Sequence, residues 1–285
     1  MPCRLTPDAI SRYHRDGYLA PLSALPGAEM AAYLDRLTHV EQGLSGRLPP
    51  TRNVKAHLLL PWLWDLVHDP RILDPVEDVL GADVLCWASG FFDKRPGEPH
   101  HVPWHQDATY WGLAAPDALT AWIAFTPSHP GNGGLRVVPG THGTLLAHGD
   151  TRDKFNMLPG RETVLTDVDE ASAVDIVLQP GEMSLHHVRL FHGSEPNRSD
   201  LPRIGFAIRY IPTYIRQTTE ARDSATLVSG TDEFGHFDPE PRPRTDFDPE
   251  CVAFHKAMLE NAEKILYAGA AKVKHFTAAE PRPGM

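Results

Sequence analysis

The sequence predicts a mainly β protein, a barrel or jelly roll flanked by helices, and three observations carry that expectation. Between Asp83 and Pro212, seven strand-length apolar runs are separated by turn residues. The 27 Pro and 22 Gly among 285 residues suit many short elements joined by turns better than a helical bundle. Helical spacing of apolar residues is confined to the two ends of the chain. The chain therefore reads as one domain over 1–285: a helical flank (1–80), a jelly-roll core (81–217), a loop or lid (218–250) and a C-terminal helix (251–267).

In the flank, Thr6 before Pro7 and Asp8 is an N-cap signature, and the helix it opens stops at Gly17. Met30, Tyr33, Leu34, Leu37 and Val40 predict a second helix over Gly27 to Gln42. Two shorter helices are expected at Leu58–His68 and Arg71–Leu80, with Pro61, Pro70 and Pro75 near their starts. Strands are expected at Asp83–Lys94, Leu119–Thr126, Gly134–Gly140, Ala173–Gly181, Glu182–His187, Arg189–Gly193 and Arg203–Pro212, with PGNGG and PNRSDLP among the turns between them. The segment 218–250 is rich in proline and acid. Its interleaved Phe234, Phe237 and Phe247 argue that it docks on the domain, and Phe234 to Phe237 is a candidate flap over a substrate. From Glu250 to Tyr267, Phe254, Met258, Ala262, Ile265 and Leu266 share one helical face.

Composition excludes several function classes. A formal net charge of −10 disfavours nucleic acid and anionic membranes as partners, because a polyanion's partner needs clustered basic charge. Cys3, Cys86 and Cys251 are odd in number, far apart and in no CxxC pair, which fits a reducing compartment. No apolar run reaches eighteen residues and the first twenty have no apolar signal core, so a soluble, cytoplasmic protein is expected.

The chemistry gathers around VPWHQDATYWG. His105 and Asp107 are two apart, so in an extended segment both side chains project to one side and can grip one metal ion. By itself H-x-D is weak, since the chain has 16 His. It gains weight from His192 in the turn-rich FHGSEPNRSDLPR, with Arg203 following eleven residues later. Two histidines and one carboxylate form the facial triad that leaves open positions on Fe(II) for oxygen chemistry.

FDKRPGE, WHQD, TAW, GNGGLRVVPGTH, PGEMSLHH, HGSEPN and RIGFAIRY follow one another over about Val54 to Pro212. With these motifs in this order, the sequence resembles the phytanoyl-CoA dioxygenase family of Fe(II)- and 2-oxoglutarate-dependent oxygenases. The resemblance implies a double-stranded β-helix, the cofactors Fe(II), 2-oxoglutarate and O2, and hydroxylation of an unactivated C–H bond of a small molecule with release of succinate and CO2. Carried over by motif, it makes His105, Asp107 and His192 the iron ligands and Arg203 the clamp on the distal carboxylate of 2-oxoglutarate. A guanidinium suits that task because it offers a carboxylate two parallel N–H donors. Around the cosubstrate it further places Ser194, Trp122, Gln106 and Lys55. Relatives that halogenate carry a small residue where this chain has Asp107, so hydroxylation is expected here.

Plainer readings stand beside these. Arg203 could be a surface arginine, Trp122 a core tryptophan and Ser194 a turn cap. His186 and His187 follow the strand EMSL and read as turn residues or supports of the metal ligands. Tyr110 and Trp111 either line a substrate pocket or pack in the core. Arg136, Arg209 and Arg216 are candidates to recognise an anionic substrate group. Two other classes could use the same cluster: a zinc-dependent hydrolase, and a non-catalytic cupin-like binding protein.

Overall fold

The computed structural model describes residues 5–149, 153–158, 163–165, 168–219 and 222–266; the side chains of Tyr110 and of residues 263–266 lie outside that description. The N-terminal flank holds helices α1 (Pro7–Asp16), α2 (Gly27–Gly43), α3 (Pro50–Asn53), α4 (Pro61–Val67) and α5 (Pro70–Leu80), with strand β1 (Tyr18–Ser23) between the first two. The core runs through β2 (Val84–Lys94), β3 (Val102–His105), α6 (Ala108–Trp111), β4 (Leu119–Ala124) and β5 (Arg136–Val138). It continues through β6 (His148–Gly149), β7 (Thr163–Val164), β8 (Val174–Asp175), β9 (Glu182–His187), β10 (Phe191–Ser194) and β11 (Arg203–Pro212). Strands β12 (Ser224–Ser229) and β13 (Asp238–Pro239) and helix α7 (Pro249–Leu266) follow.

Two sheets form the jelly roll. The larger has the order β1-β9-β4-β11-β2-β12-β13 and the smaller β3-β10-β5-β8. Strand alternation divides the larger sheet cleanly. On β11, Ile204, Phe206, Ile208 and Tyr210 join the main apolar core with Leu60, Leu63 and Ile72 of the helical flank. Arg203, Ala207 and Arg209 of the same strand line a cavity on the opposite face. On β4, Leu119, Ala121 and Ile123 belong to that core while Thr120 and Trp122 line the cavity; on β9, Met183 and Leu185 face His186 in the same way. The helices thus cover one face of the large sheet, and the cavity lies on the other.

Local chemistry explains the ends of the flank. The Thr6 hydroxyl accepts a hydrogen bond from the Ala9 N–H, and Gly17, at φ 81°, closes α1 with its N–H on the Tyr13 carbonyl. The stretch expected to be wholly helical contains β1, which pairs antiparallel with β9 at the sheet edge, where Pro21 is tolerated. β3 was not foreseen, being four residues long and carrying Pro103. Of the strand expected over Ala173–Gly181, Val174–Asp175 pairs with β5 and Leu178 forms a single antiparallel bridge with Ser128.

The segment 218–250 is not a free loop. β12 pairs with β2, Phe237 is buried beside Trp111, and of the phenylalanines in the expected flap only Phe234 stays exposed, stacked on His236. Among the described residues no helix is long and apolar enough to cross a membrane.

Candidate metal and cosubstrate site

β3 and β10 pair antiparallel with His105 opposite His192, so both imidazoles leave the small sheet on one face, 4.0 Å apart between ring centroids. Asp107 follows two residues after His105 and turns its carboxylate to meet them. Asp107 Oδ1 lies 3.3 Å from His105 Nε2 and 4.0 Å from His192 Nε2, and one atom from each of the three residues falls within 4.8 Å of the others. All three side chains are buried.

Both histidines are fixed from behind. Nδ1 of His105 lies 2.9 Å from the Pro103 carbonyl and Nδ1 of His192 lies 2.9 Å from the Leu190 carbonyl. A carbonyl only accepts, so each Nδ1 carries a proton, and Nε2 is the ring atom that each histidine turns toward the cluster. Burial, together with the neighbouring His105, keeps the His192 imidazole well below its ordinary pKa and therefore neutral. Burial opposes ionisation of Asp107, but its hydrogen bond with His105 and the nearby His192, His105 and Arg209 outweigh it and hold the carboxyl below the usual carboxylate range. Two imidazole nitrogens and a carboxylate, all dry and aimed at one point, are the donor set of a divalent transition metal. The residues present fit an iron ion.

The cavity beside the cluster, with its mouth, encloses about 440 Å³. Arg203 closes one end. It is buried, its Nε donates to the Gly133 carbonyl (3.1 Å) and its Nη1 to the Phe92 carbonyl (3.0 Å), and its guanidinium sits 5.4 Å from the Trp122 ring. Burial pushes its pKa down to about 10, so it remains a cation at neutral pH. Gly205 makes room for Trp122, since a Cβ there would collide with the indole. The GNGG turn serves the same end of the cavity. Gly133 adopts φ +74°, and a Cβ there would collide with the Glu195 carbonyl.

The structure brings together His105, Asp107, His192, Arg203, Ser194, Trp122 and Arg209 on the cavity wall. Other expected site residues lie elsewhere. Gln106, between the first two ligands, faces the opposite way: its amide donates to the Thr144 and Arg189 carbonyls and accepts from the Leu146 N–H, stitching the loops behind the cluster. Lys55 does not reach the cosubstrate end; its ammonium is bound to Glu240 at 2.8 Å on the far side of the sheet. Arg136 is spent on Glu170 and Asp175 and on the Trp104 face. Trp111 packs on Trp87 at 4.9 Å, and Arg216 is exposed. The side chain of Tyr110 lies outside the described residues.

Two residues of the site, Lys94 and Thr120, were not singled out from sequence, and a third, His186, was expected only as a turn residue or a support of the metal ligands. Lys94 is fully buried, with Nζ 2.6 Å from Ser194 Oγ and close to the Ser194, Glu195 and Gly133 carbonyls. Thr120 donates to Asp107 Oδ2 at 3.4 Å. His186, read as a turn residue or support, lines the cavity 4.8 Å from the His192 ring, with Nδ1 buried and unpartnered. Alternation carried the signal for two of them: Thr120 and Trp122 share a face, and so do Gly90, Phe92 and Lys94.

Comparison with known proteins agrees with this geometry. The model of the phytanoyl-CoA dioxygenase family matches residues 13–205. An ectoine dioxygenase of Bordetella parapertussis is 26% identical over 231 residues, covering 72% of this chain and 75% of that protein. The apo structure of the non-heme monooxygenase ThoJ is 35% identical with a TM-score of 0.82, covering 92% of this chain and 98% of its own. The structure of CytC3 with Fe(II) and alpha-ketoglutarate is 26% identical with a TM-score of 0.66, covering 87% and 97%.

Proposed function

Because the chain belongs to the phytanoyl-CoA dioxygenase family, whose cofactors are Fe(II), 2-oxoglutarate and O2, we propose that it hydroxylates an unactivated C–H bond of a small-molecule metabolite, releasing succinate and CO2. The observation that carries this reading is the placement, on the wall of one cavity, of a dry His105, Asp107, His192 cluster and a buried Arg203. Those three residues would hold the iron, which supplies the coupled oxidation of 2-oxoglutarate and substrate by O2 when bound.

The chain's own part is position and exclusion. His105 and His192 are locked in the ligating tautomer by the Pro103 and Leu190 carbonyls. Arg203, with its plane fixed by Gly133 and Phe92, would orient the distal carboxylate of 2-oxoglutarate, and Ser194 would give that carboxylate a hydroxyl donor. Trp122 and Phe92 wall this end against water. Asp107 supports hydroxylation over halogenation, since its carboxylate fills the position a halide would need.

The test is iron-dependent succinate release in the presence of O2 and 2-oxoglutarate, with small metabolites screened for acceleration and the product weighed. The expected product gains one oxygen atom. A chlorinated or rearranged product would overturn the hydroxylase reading, and turnover retained in Asp107→Ala would overturn the ligand assignment.

A further inference from the structure

A second arginine enters the same cavity and is provisioned quite differently. Arg203, Gly205, Ala207 and Arg209 share the inner face of β11; the Trp122 indole fills the space over Gly205, and Ala207 lines the cavity between the guanidinium groups. Arg203 donates to two carbonyls, whereas Arg209 has no hydrogen-bond acceptor or ion pair among the described residues; it lies 5.6 Å from the Phe92 ring. Strand register supplies its neighbours. Arg209 is opposite Thr120, and Thr120 is opposite His186, so three polar side chains cross the sheet in one row. Thr120 touches Asp107, which sets the row beside the metal cluster, and His186 brings a buried Nδ1 without a partner. The partly buried Arg209 guanidinium opens onto the cavity with its donors free for a ligand, and His186 Nδ1 is out of water with no partner among the described residues, a cost a ligand can relieve.

We propose that Arg209, with Thr120 and His186 beside it, binds an anionic group of the substrate, a carboxylate or phosphonate, at the end of the cavity away from Arg203. The inference rests on the function proposed above. Charge balance supports it. Among the described lining residues the ionised side chains are Arg203, Arg209 and Asp107, the histidines being neutral as ligands. A divalent iron and a doubly charged 2-oxoglutarate cancel, and Asp107 balances one arginine. One positive charge is left in a site of low dielectric, and a monoanionic substrate neutralises it.

The test needs no turnover. Under anaerobic conditions the protein with Fe(II) and saturating 2-oxoglutarate is titrated with acetate, with methylphosphonate and with neutral acetamide, following the visible charge-transfer band. The same series is run on Arg209→Gln and Arg209→Lys, with far-UV circular dichroism checking the fold. At least one anion should perturb the wild-type band saturably and acetamide should not; whichever anion binds more tightly tells carboxylate from phosphonate. In Arg209→Gln the anion should bind roughly 10- to 100-fold more weakly. Arg209→Lys, which keeps the charge and gives up the forked donor edge, should fall between and carries the test should the glutamine variant not fold. Equal anion binding in wild type and variants overturns the inference. A loss of 2-oxoglutarate affinity in its place also overturns it, assigning Arg209 to the cosubstrate. A band without any anion response refutes this inference alone, whereas no band in wild type refutes the function it rests on.

Discussion

Lys55 and Lys94 are both buried lysines, 4% and 0% exposed, and their surroundings could hardly differ more. The Lys55 ammonium meets Glu240 at 2.8 Å and Asp223 at 3.7 Å and donates to the Ser224 carbonyl. Glu240 in turn accepts from the Ser224 and Thr226 hydroxyls and meets His57 Nε2 at 3.1 Å. Burial would lower the Lys55 pKa, but the two carboxylates outweigh it and raise it. Around Lys94 every hydrogen-bond acceptor is neutral, and burial followed by the charge of Arg203 pushes its pKa down to about 6. The first network is closed: the protein itself supplies two carboxylates to the Lys55 ammonium, and it straps the segment 222–240 to β2 and the flank. The second lacks an anion: Lys94 is largely an uncharged amine at neutral pH, while Arg203 beside it stays a cation with no counter-charge among the described residues. Burial alone therefore does not mark function in this molecule; a buried cation whose counter-ion the protein does not provide does.

Substitutions can break that contrast. The largest effect is expected at the shared centre: Asp107→Ala should cut turnover by roughly 100-fold or more and abolish tight iron binding, measured by succinate release and metal analysis. Next, Arg203→Gln should weaken 2-oxoglutarate binding by roughly 10- to 100-fold, read as KM for the cosubstrate, because a charge-assisted donor pair is lost. Lys94→Met should act more mildly, on the order of tenfold in the same KM with kcat held. Its Nζ donates to Ser194 Oγ, which leaves the Ser194 hydroxyl proton to point into the cavity, so its role is positioning.

The closed network should respond in the other currency. Glu240→Gln should leave 2-oxoglutarate affinity unchanged while costing about 3 kcal/mol of stability, seen in denaturant unfolding, because it leaves buried Lys55 with only Asp223, at 3.7 Å, as counter-charge. The pH dependence sharpens this. Burial would raise the Glu240 carboxyl, but Lys55 and His57 bring it down from 4.5 to about 2 in the folded chain. Its stabilisation is thus fully present above about pH 4.5 and is lost as pH falls toward 2. Wild-type Tm should drop across that window more steeply than the Tm of Glu240→Gln.

Much of the site could be read from sequence because it is made of local patterns. His105 and Asp107 are two apart, Arg203 opens a ten-residue strand expected from its first to its last residue, and Gly17 ends α1 where a left-handed residue is required. What sequence missed depends on pairing between distant strands. Nothing local says that Lys55 meets Glu240, 185 residues away, or that Lys94 meets Ser194, 100 residues away. Gln106 was placed on the cosubstrate side although alternation turns it away from both ligands. SATLVS, short and half polar, predicts a loop at β12, and its pairing with β2 decides its conformation.

The central claim is that the cavity between the two sheets holds Fe(II) at His105, Asp107 and His192, and 2-oxoglutarate against Arg203. Anaerobic titration of the protein with Fe(II) and then 2-oxoglutarate tests it most directly. A visible charge-transfer band should grow to saturation in wild type, require more 2-oxoglutarate in Arg203→Gln, and fail to form in Asp107→Ala. A well-folded wild-type protein that binds Fe(II) yet gives no band, or an Arg203→Gln variant that titrates as wild type does, would contradict it.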